Sequence, residues 1–328
     1  MRIRKSVINF REMTMARNKV QFQKGLSDAA FQLSYGTEEQ CRAALFKSRW
    51  PEGFECPACG GSAYCELSTR GRYQCRACRA QTTLTAGTIF ASTKLPLTQW
   101  FRGMYHMTQT KQGISSLELA RRLGVQQNTA WLMKQKLTQV MLEREDKKPL
   151  DGRIEMDDVY LGGERHGGKR GRGAPGKTPF VAAVETTDDG KPVRIKLRPV
   201  KRFCKANIKA VTTKHIKSTA RVVTDGLGCF RGVAAAGVKH EPLIVSKLGH
   251  SEKLPQFRWV NTIIGNVKGS ITGTYRAARK HANRTLAEFE YRFNRRFDLT
   301  TIIPRLAYAT VRTPPFPRRF AKMAAEAT

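Results

Sequence analysis

Four cysteines in two closely spaced pairs constrain the fold of this chain more than any other feature. Cys56 and Cys59 are followed, after 15 intervening residues, by Cys75 and Cys78. Two C-x2-C pairs at this separation are typical of a zinc ribbon, in which each pair supplies two thiolates and a short hairpin joins the pairs. Disulfides or reduced core thiols are the alternatives, but no export signal precedes the pairs and core thiols rarely fall into regular doublets. The spacing therefore predicts a structural Zn2+ ion.

The charge balance indicates a polyanionic partner. Among 328 residues, 59 are Lys or Arg and 26 are Asp or Glu, which gives a formal net charge of +33. A compact protein with this surplus would repel itself unless a polyanion neutralised it. The sequence has neither an apolar segment long enough to span a bilayer nor a secretory signal at its start. These features exclude the membrane and secreted classes, favour nucleic acid as the partner, and predict a cytoplasmic, nucleoid-associated protein.

A helix-turn-helix is predicted after the ribbon. A short amphipathic helix that points Leu119 inward is followed by a turn at Gly124 and a second helix. In this motif, the first side chains of the second helix face base edges, and Gln and Asn suit adenine. The predicted DNA contacts are Gln127, Asn128 and Thr129, with Lys134 continuing the basic face. An ordinary helical hairpin fits the same pattern and is the alternative.

Beyond Pro149 the hydrophobic period changes from helical to strand-like. Three strand-like segments, at residues 153–161, 180–185 and 193–197, precede a helix at 206–219. A strand at 220–224, a short strand at 242–246 and a long helix from about Asn261 follow. Three strands, then helices alternating with strands, predict an α/β domain with a mixed sheet.

Two aspartates of this domain occupy positions that favour metal binding. Asp157 lies inside the first strand, and Asp225 ends a later strand. A carboxylate in a sheet core is costly unless a cation neutralises it, and Mg2+ prefers oxygen ligands. The alternative is that both aspartates only cap loops. Strand alternation places Glu155 and Asp157 on one face and Asp158 on the other.

The motifs, in their order along the chain, resemble the ISXO-type bacterial insertion-sequence transposases. The resemblance runs from about Val20 to Phe297, and it rests on the ribbon, the helix-turn-helix and four segments at 155–163, 223–226, 260–268 and 288–296. It implies a ribonuclease H-like fold and a DDE-type, metal-dependent transposase. By this resemblance, Asp157 and Asp225 are the first two metal ligands, and Asn261 stands where the superfamily usually has Glu.

The third ligand has competing candidates. Asn261 and Lys268 are seven residues apart and would share a helix face, so an amide oxygen could reach a metal while the ammonium reaches a phosphate. Glu288 with Arg295 has the same spacing and a true carboxylate. Asn261 could instead be only the N-cap of its helix.

Two further basic segments are candidate DNA contacts. Residues 171–178, which overlap the basic, Gly-rich segment 165–177, match the P-loop pattern G-x4-G-K-[ST] at every position. A strand-like segment follows them, however, where a P-loop needs a helix. A basic loop touching phosphates is the better interpretation, with a solvated hairpin loop as the alternative. Its predicted contacts are Lys169, Arg170 and Arg172. Arg292 and Arg295 lie on a basic helical face that either contacts DNA or is partly core.

Together these features predict a multidomain α/β protein: a zinc ribbon and a helix-turn-helix followed by a ribonuclease H-like mixed-sheet catalytic domain. The expected bounds are a basic lead at 1–26, a helix plus ribbon at 27–95, the helix-turn-helix region at 96–148, the catalytic domain at 149–312 and a loose tail at 313–328.

The expected function is a DNA transposase that uses Mg2+ or Mn2+ to cut element ends and join the freed 3′-OH to target DNA. Its partners would be terminal inverted repeats, target DNA and further copies of the chain in a homo-oligomer. A DNA-binding regulator with an inactive α/β half, and a nuclease that cuts without joining, are the alternatives.

Overall fold

The structure is a computed structural model that describes residues 25–68, 71–162, 176–243, 255–274 and 278–323. Two short helices precede the ribbon, α1 (Asp28–Tyr35) and α2 (Glu38–Arg49). The two helices are separate because Thr37 caps the start of α2. The Thr37 hydroxyl accepts from the Gln40 amide at 3.2 Å, and the Gln40 side chain accepts from the Thr37 amide at 3.0 Å. This reciprocal pair is a capping box, so the helical part of the region expected at 27–95 forms as two helices.

A three-stranded antiparallel sheet forms the ribbon. Its strands are β1 (Tyr64–Leu67), β2 (Arg72–Cys75) and β3 (Gln81–Thr83), in that order. Tyr73 on β2 packs against Phe46 and Trp50 of the α2 end, with ring centroids 5.5 Å apart in both pairs. These aromatic contacts join the ribbon to the helices, since a sheet this small has little core of its own.

Three helices follow the ribbon: α3 (Leu97–Thr108), α4 (Ser116–Leu123) and α5 (Gln127–Asp146). Ser115 caps α4 by accepting from the Glu118 amide at 3.0 Å. Gly124 ends α4 with a φ of +65°, a left-handed conformation that glycine adopts without steric cost. The sequence predicted this pair of helices and its turn. Contact of α4 and α5 with DNA stays a prediction.

The second half of the chain is built on a five-stranded mixed sheet. Its strands are β4 (Arg153–Leu161), β5 (Thr178–Thr186), β6 (Pro192–Pro199), β7 (Arg221–Thr224) and β8 (Lys239–Pro242), in the order β6-β5-β4-β7-β8. The first three are antiparallel, whereas β7 and β8 run parallel to β4. The connecting and following helices are α6 (Lys205–His215), α7 (Arg231–Ala234), α8 (Arg258–Thr274), α9 (Ala282–Phe293), α10 (Ile302–Thr310) and α11 (Arg318–Lys322). A ribbon followed by a mixed sheet with helices on its faces confirms the predicted multidomain α/β fold class.

Alternate residues of β4 enter separate cores on the two faces of the sheet. Ile154 and Met156 pack with α6 and α7, whereas Val159 and Leu161 pack with α8 and the start of α9. A strand that is buried on both faces of a sheet needs apolar residues at its odd and its even positions. Strand β4 has them except at its carboxylates.

Helix α9 covers the exposed edge of the sheet. The Ile195 amide of β6 donates to Asn294 at 2.8 Å, and the Leu197 amide donates to Glu290 at 3.0 Å. These backbone N–H groups would be unpaired at the edge of the sheet without α9. The spacing of two side chains one turn apart on the helix matches the spacing of two residues that are two positions apart on the strand. The motif at 288–296 therefore closes the sheet edge.

Three predicted DNA contacts lie in the core instead of on a DNA-facing surface. Lys134 and Arg292 are 5% and 6% exposed, and both pair with the fully buried Glu288, at 3.2 and 2.8 Å. Arg295, also 6% exposed, pairs with Glu145 near the end of α5. Buried charges need such partners, and the helical pattern alone did not distinguish a paired buried cation from one that faces a phosphate. The predictions for Lys134, Arg292 and Arg295 were wrong.

The C-terminal helices return to the N-terminal helices. Ile302, Ile303 and Leu306 of α10 are buried in the same core as the α2–α5 side chains. This packing differs from the expectation that residues 149–312 form one separate unit. Helix α11 is also docked, because Arg284 donates to the Ala321 carbonyl at 2.9 Å. The described part of the predicted loose tail is therefore ordered against α9.

Candidate active site and zinc centre

The two cysteine pairs form matching turns that bring four sulfurs together. In each turn, the amide just after the second cysteine donates to the carbonyl of the first cysteine: Gly60 to Cys56 at 2.9 Å and Arg79 to Cys75 at 3.1 Å. Gly60 and Arg79 both have positive φ, +73° and +62°. The repeated backbone conformation points both thiols of each pair to the same side.

The sulfur positions fit a tetrahedral zinc ion. All four sulfurs lie within 4.8 Å of one another, with Cys56 and Cys78 3.6 Å apart and Cys59 and Cys75 3.7 Å apart. Sulfurs about 2.3 Å from a shared tetrahedral zinc would be about 3.8 Å apart. The cluster therefore supports structural zinc.

The pairing of β4 with β7 places the two predicted catalytic aspartates side by side. Glu155 is aligned with Val223 at the end of this parallel ladder. Two residues further along both strands, the same register reaches Asp157 and Asp225. Both are half-buried at the carboxyl end of β7, where ligands bind in open α/β sheets.

A third carboxylate joins them. Asp157, Asp158 and Asp225 each have a carboxylate oxygen within 4.8 Å of the others. Strand alternation places Asp158 on the opposite face from Asp157, and the regular pairing with β5 continues through Asp158, which is aligned with Val181. The carboxylate oxygens lie within this distance all the same. The doublet Asp157-Asp158 is the sequence signal that could have indicated a third carboxylate in the cluster.

The electrostatics of this cluster suit a divalent cation. Burial, together with the charges of Asp158 and Asp225, raises the pKa of Asp157 to about 6. The Asp158 amide donates to Asp157 at 2.8 Å and opposes the shift, as does the positive charge of Lys268. Crowded oxygen ligands with this excess of negative charge are the donors that Mg2+ or Mn2+ prefers.

Helix α8 carries the other two predicted site residues. Lys268 is exposed and close enough to Asp157 to lower the pKa of that carboxyl. Asn261 is exposed in the first turn of α8. Since α8 begins at Arg258, Asn261 is inside the helix and is not its N-cap. Glu288, the rival third ligand, is occupied by Lys134 and Arg292 in the core.

The remaining predicted DNA contacts divide into two groups. Gln127 and Asn128 are exposed at the start of α5, and Thr129 is half-buried. The other three, Lys169, Arg170 and Arg172, lie outside the described residues. After this segment, Thr178 begins a β-strand, so the helix that a P-loop requires does not follow.

Within the described ranges, no helix combines the length and apolar character needed to cross a membrane.

Comparisons with known families agree with this geometry. A family model described as an ISXO2-like transposase domain matches residues 149–294, which include the whole mixed sheet and α8. A second, described as a transposase zinc-ribbon domain, matches residues 36–81, which include all four clustered cysteines. A search of curated proteins found no match. The two models together match more than half of the chain and follow the order of the ribbon and the sheet. The chain therefore belongs to the ISXO-type transposases, which combine a zinc ribbon with an ISXO2-like transposase domain.

Proposed function

We propose that this protein is the DNA transposase of an insertion sequence, which cuts the element ends and joins the freed 3′-OH groups to target DNA. The observation that carries the proposal is the convergence of Asp157 and Asp225 on adjacent parallel strands of a ribonuclease H-like sheet. In the proposed site, these carboxylates hold Mg2+ or Mn2+, and the Asn261 amide oxygen completes the ligand set. When bound, the metal would activate the attacking hydroxyl and stabilise charge on the reacting phosphate.

The chain's own groups would position the DNA. Lys268 supplies an ammonium beside Asp157, where it can pair with a phosphate next to the reacting one. Gln127 and Asn128 are exposed at the start of α5, where a recognition helix would meet base edges. The basic segment at 165–177 would add phosphate contacts through Lys169, Arg170 and Arg172.

We further propose a cytoplasmic, nucleoid-associated location and a homo-oligomeric active complex. Each element has two ends, and two copies of one catalytic chain would process them together. The polyanion that the net charge of +33 requires would then be the terminal repeats and the target DNA.

One assay separates this function from its two alternatives. The full chain is incubated with a labelled duplex of the element end, a target plasmid and Mg2+. A transposase yields end-labelled DNA covalently joined to the plasmid. A nuclease of the same fold yields cut ends alone, and a DNA-binding regulator only shifts the duplex in a gel. Either of the last two results would reject the proposal.

A further inference from the structure

The start of α8 is held by a buried carboxylate of the catalytic strand. Glu155, which is 1% exposed, lies two residues before Asp157 on β4. One of its carboxylate oxygens accepts from two consecutive amides of α8, Trp259 at 2.9 Å and Val260 at 3.0 Å. These are N–H groups that a helix N-terminus leaves unpaired, and a carboxylate there also benefits from the helix dipole.

Arg153 reinforces the same contact. Its guanidinium donates to the other oxygen of Glu155 at 3.0 Å and to the Gln256 carbonyl at 3.2 Å, just before α8 begins. The Trp259 indole N–H donates to the Gly190 carbonyl in the turn between β5 and β6. The first turn of α8 is thus attached to the sheet through both backbone and side chain.

This attachment lies between the two parts of the proposed metal site. Asp157 follows Glu155 on β4, and Asn261 follows Val260 on α8. A shift of the first turn of α8 would move Asn261 relative to Asp157, and it would move Lys268 along the same rigid helix. Groups that orient metal ligands change metal affinity by about 10- to 100-fold when removed.

We propose that Glu155, with Arg153, is a positioning residue for catalysis: it fixes α8 against β4, and thereby fixes Asn261 and Lys268 relative to the aspartates. This inference rests on the proposed function, because it presupposes that Asp157 and Asn261 belong to one metal site. Glu155 itself binds neither metal nor DNA, since both of its oxygens are taken by protein donors.

The test compares Glu155→Gln with Glu290→Gln. Glu290 is a matched control, because it is fully buried, accepts a backbone amide at 3.0 Å and pairs with Lys196 and Arg198, yet it lies on α9. Cleavage of a labelled element end is measured against Mg2+ concentration, and Mn2+ binding is measured separately by electron paramagnetic resonance. Glu155→Gln keeps only one acceptor oxygen, so its NH2 group opposes either the Arg153 guanidinium or the two α8 amides, a donor against a donor, and the attachment of the α8 start is weakened.

We expect Glu155→Gln to raise the Mg2+ concentration for half-maximal cleavage and the Mn2+ dissociation constant by about 10-fold, with much of the rate recovered at saturating metal. Glu290→Gln should leave both metal constants unchanged. Arg153→Met, at a position with more solvent access, should show the same shift in smaller degree, and it decides the matter if Glu155→Gln does not fold.

Wild-type metal constants in folded Glu155→Gln or Arg153→Met, or an equal shift in Glu290→Gln, would overturn the positioning role. Asp157→Ala, assayed in parallel, separates this failure from failure of the proposed function. If Asp157→Ala is inactive while Glu155→Gln behaves as wild type, only the positioning role is lost. If Asp157→Ala still cleaves, the proposed function is lost as well.

Discussion

Asn261 differs from the other proposed ligands because its side chain is neutral. A ligand set of Asp157, Asp225 and Asn261 carries one negative charge fewer than three carboxylate ligands, although Asp158 adds a carboxylate beside it. Asn261→Ala should abolish joining, as measured by formation of plasmid-linked product. Asn266→Ala is the control, because Asn266 is also exposed on α8 but lies on a different face. Joining at the wild-type rate by Asn261→Ala would contradict the assignment.

His215 is a single residue with a predictable effect on stability. It is 1% exposed, and within the described part of the chain neither ring nitrogen has a hydrogen-bond partner. Burial and then the charge of Arg198 lower the pKa of His215 from 6.5 to about 3, while Asp146 opposes the shift. The folded state therefore holds His215 neutral at pH values where the unfolded chain already binds a proton.

The sign of the effect follows from this difference. Stability contributed by neutral His215 is present above pH 6.5 and is lost as the pH falls towards 3. We expect the free energy of unfolding of the wild type to fall between pH 7 and pH 4, and to fall less in His215→Leu, which leaves no hydrogen bond broken. Urea unfolding at several pH values measures both. Parallel curves for the two proteins would show that another group causes the acid sensitivity.

At the scale of single elements, the zinc ribbon should depend on its metal. Structural zinc supplies on the order of 10 kcal/mol of folding free energy in small zinc modules. Cys75→Ser should therefore unfold the ribbon and lose the zinc, measured by metal analysis and by thermal unfolding with and without chelator. Cys65→Ser is the matched control, since Cys65 lies on β1 of the same ribbon and its thiol only donates to the Gln74 carbonyl. Native protein without zinc would refute the prediction.

Elements with a strong local pattern were predictable, and elements defined by distant contacts were not. Strand β4 has the predicted bounds because its alternation and flanking turns are local signals. The role of α9 depends on the edge of β6, and the role of α10 depends on the N-terminal helices. Both partners are distant in sequence. The same limit applied to the site. Asp157 and Asp225 were predicted from their positions inside one strand and at the end of another, and from the family resemblance. The contact of Glu155 with α8 joins residues more than 100 positions apart in the sequence, so no local pattern indicates it.

For the molecule as a whole, the count of 59 Lys and Arg residues overstates how many cations are free to meet a polyanion. Several cations are buried in ion pairs that join α5, β6 and α9, among them Lys196 with Glu290 and Arg198 with Asp146. The exposed cations should still neutralise phosphates. We expect the logarithm of the duplex affinity to fall linearly with the logarithm of salt concentration, with a slope near −0.9 per neutralised phosphate. Fluorescence anisotropy with a labelled duplex measures the slope, and a flat titration would remove the argument for a polyanionic partner.

The central claim is that Asp157 and Asp225 perform metal-dependent strand cleavage and joining on DNA that other parts of the chain bind. Its most direct test is the strand-transfer assay on Asp157→Ala and Asp225→Ala, run beside a gel shift with the same element-end duplex. Asp189→Asn is the control, because Asp189 is an exposed carboxylate in a turn of the same sheet. Both alanine variants should bind the duplex and yield neither cut nor joined product, while Asp189→Asn retains all three activities. Cleavage at the wild-type rate by either alanine variant would contradict the claim.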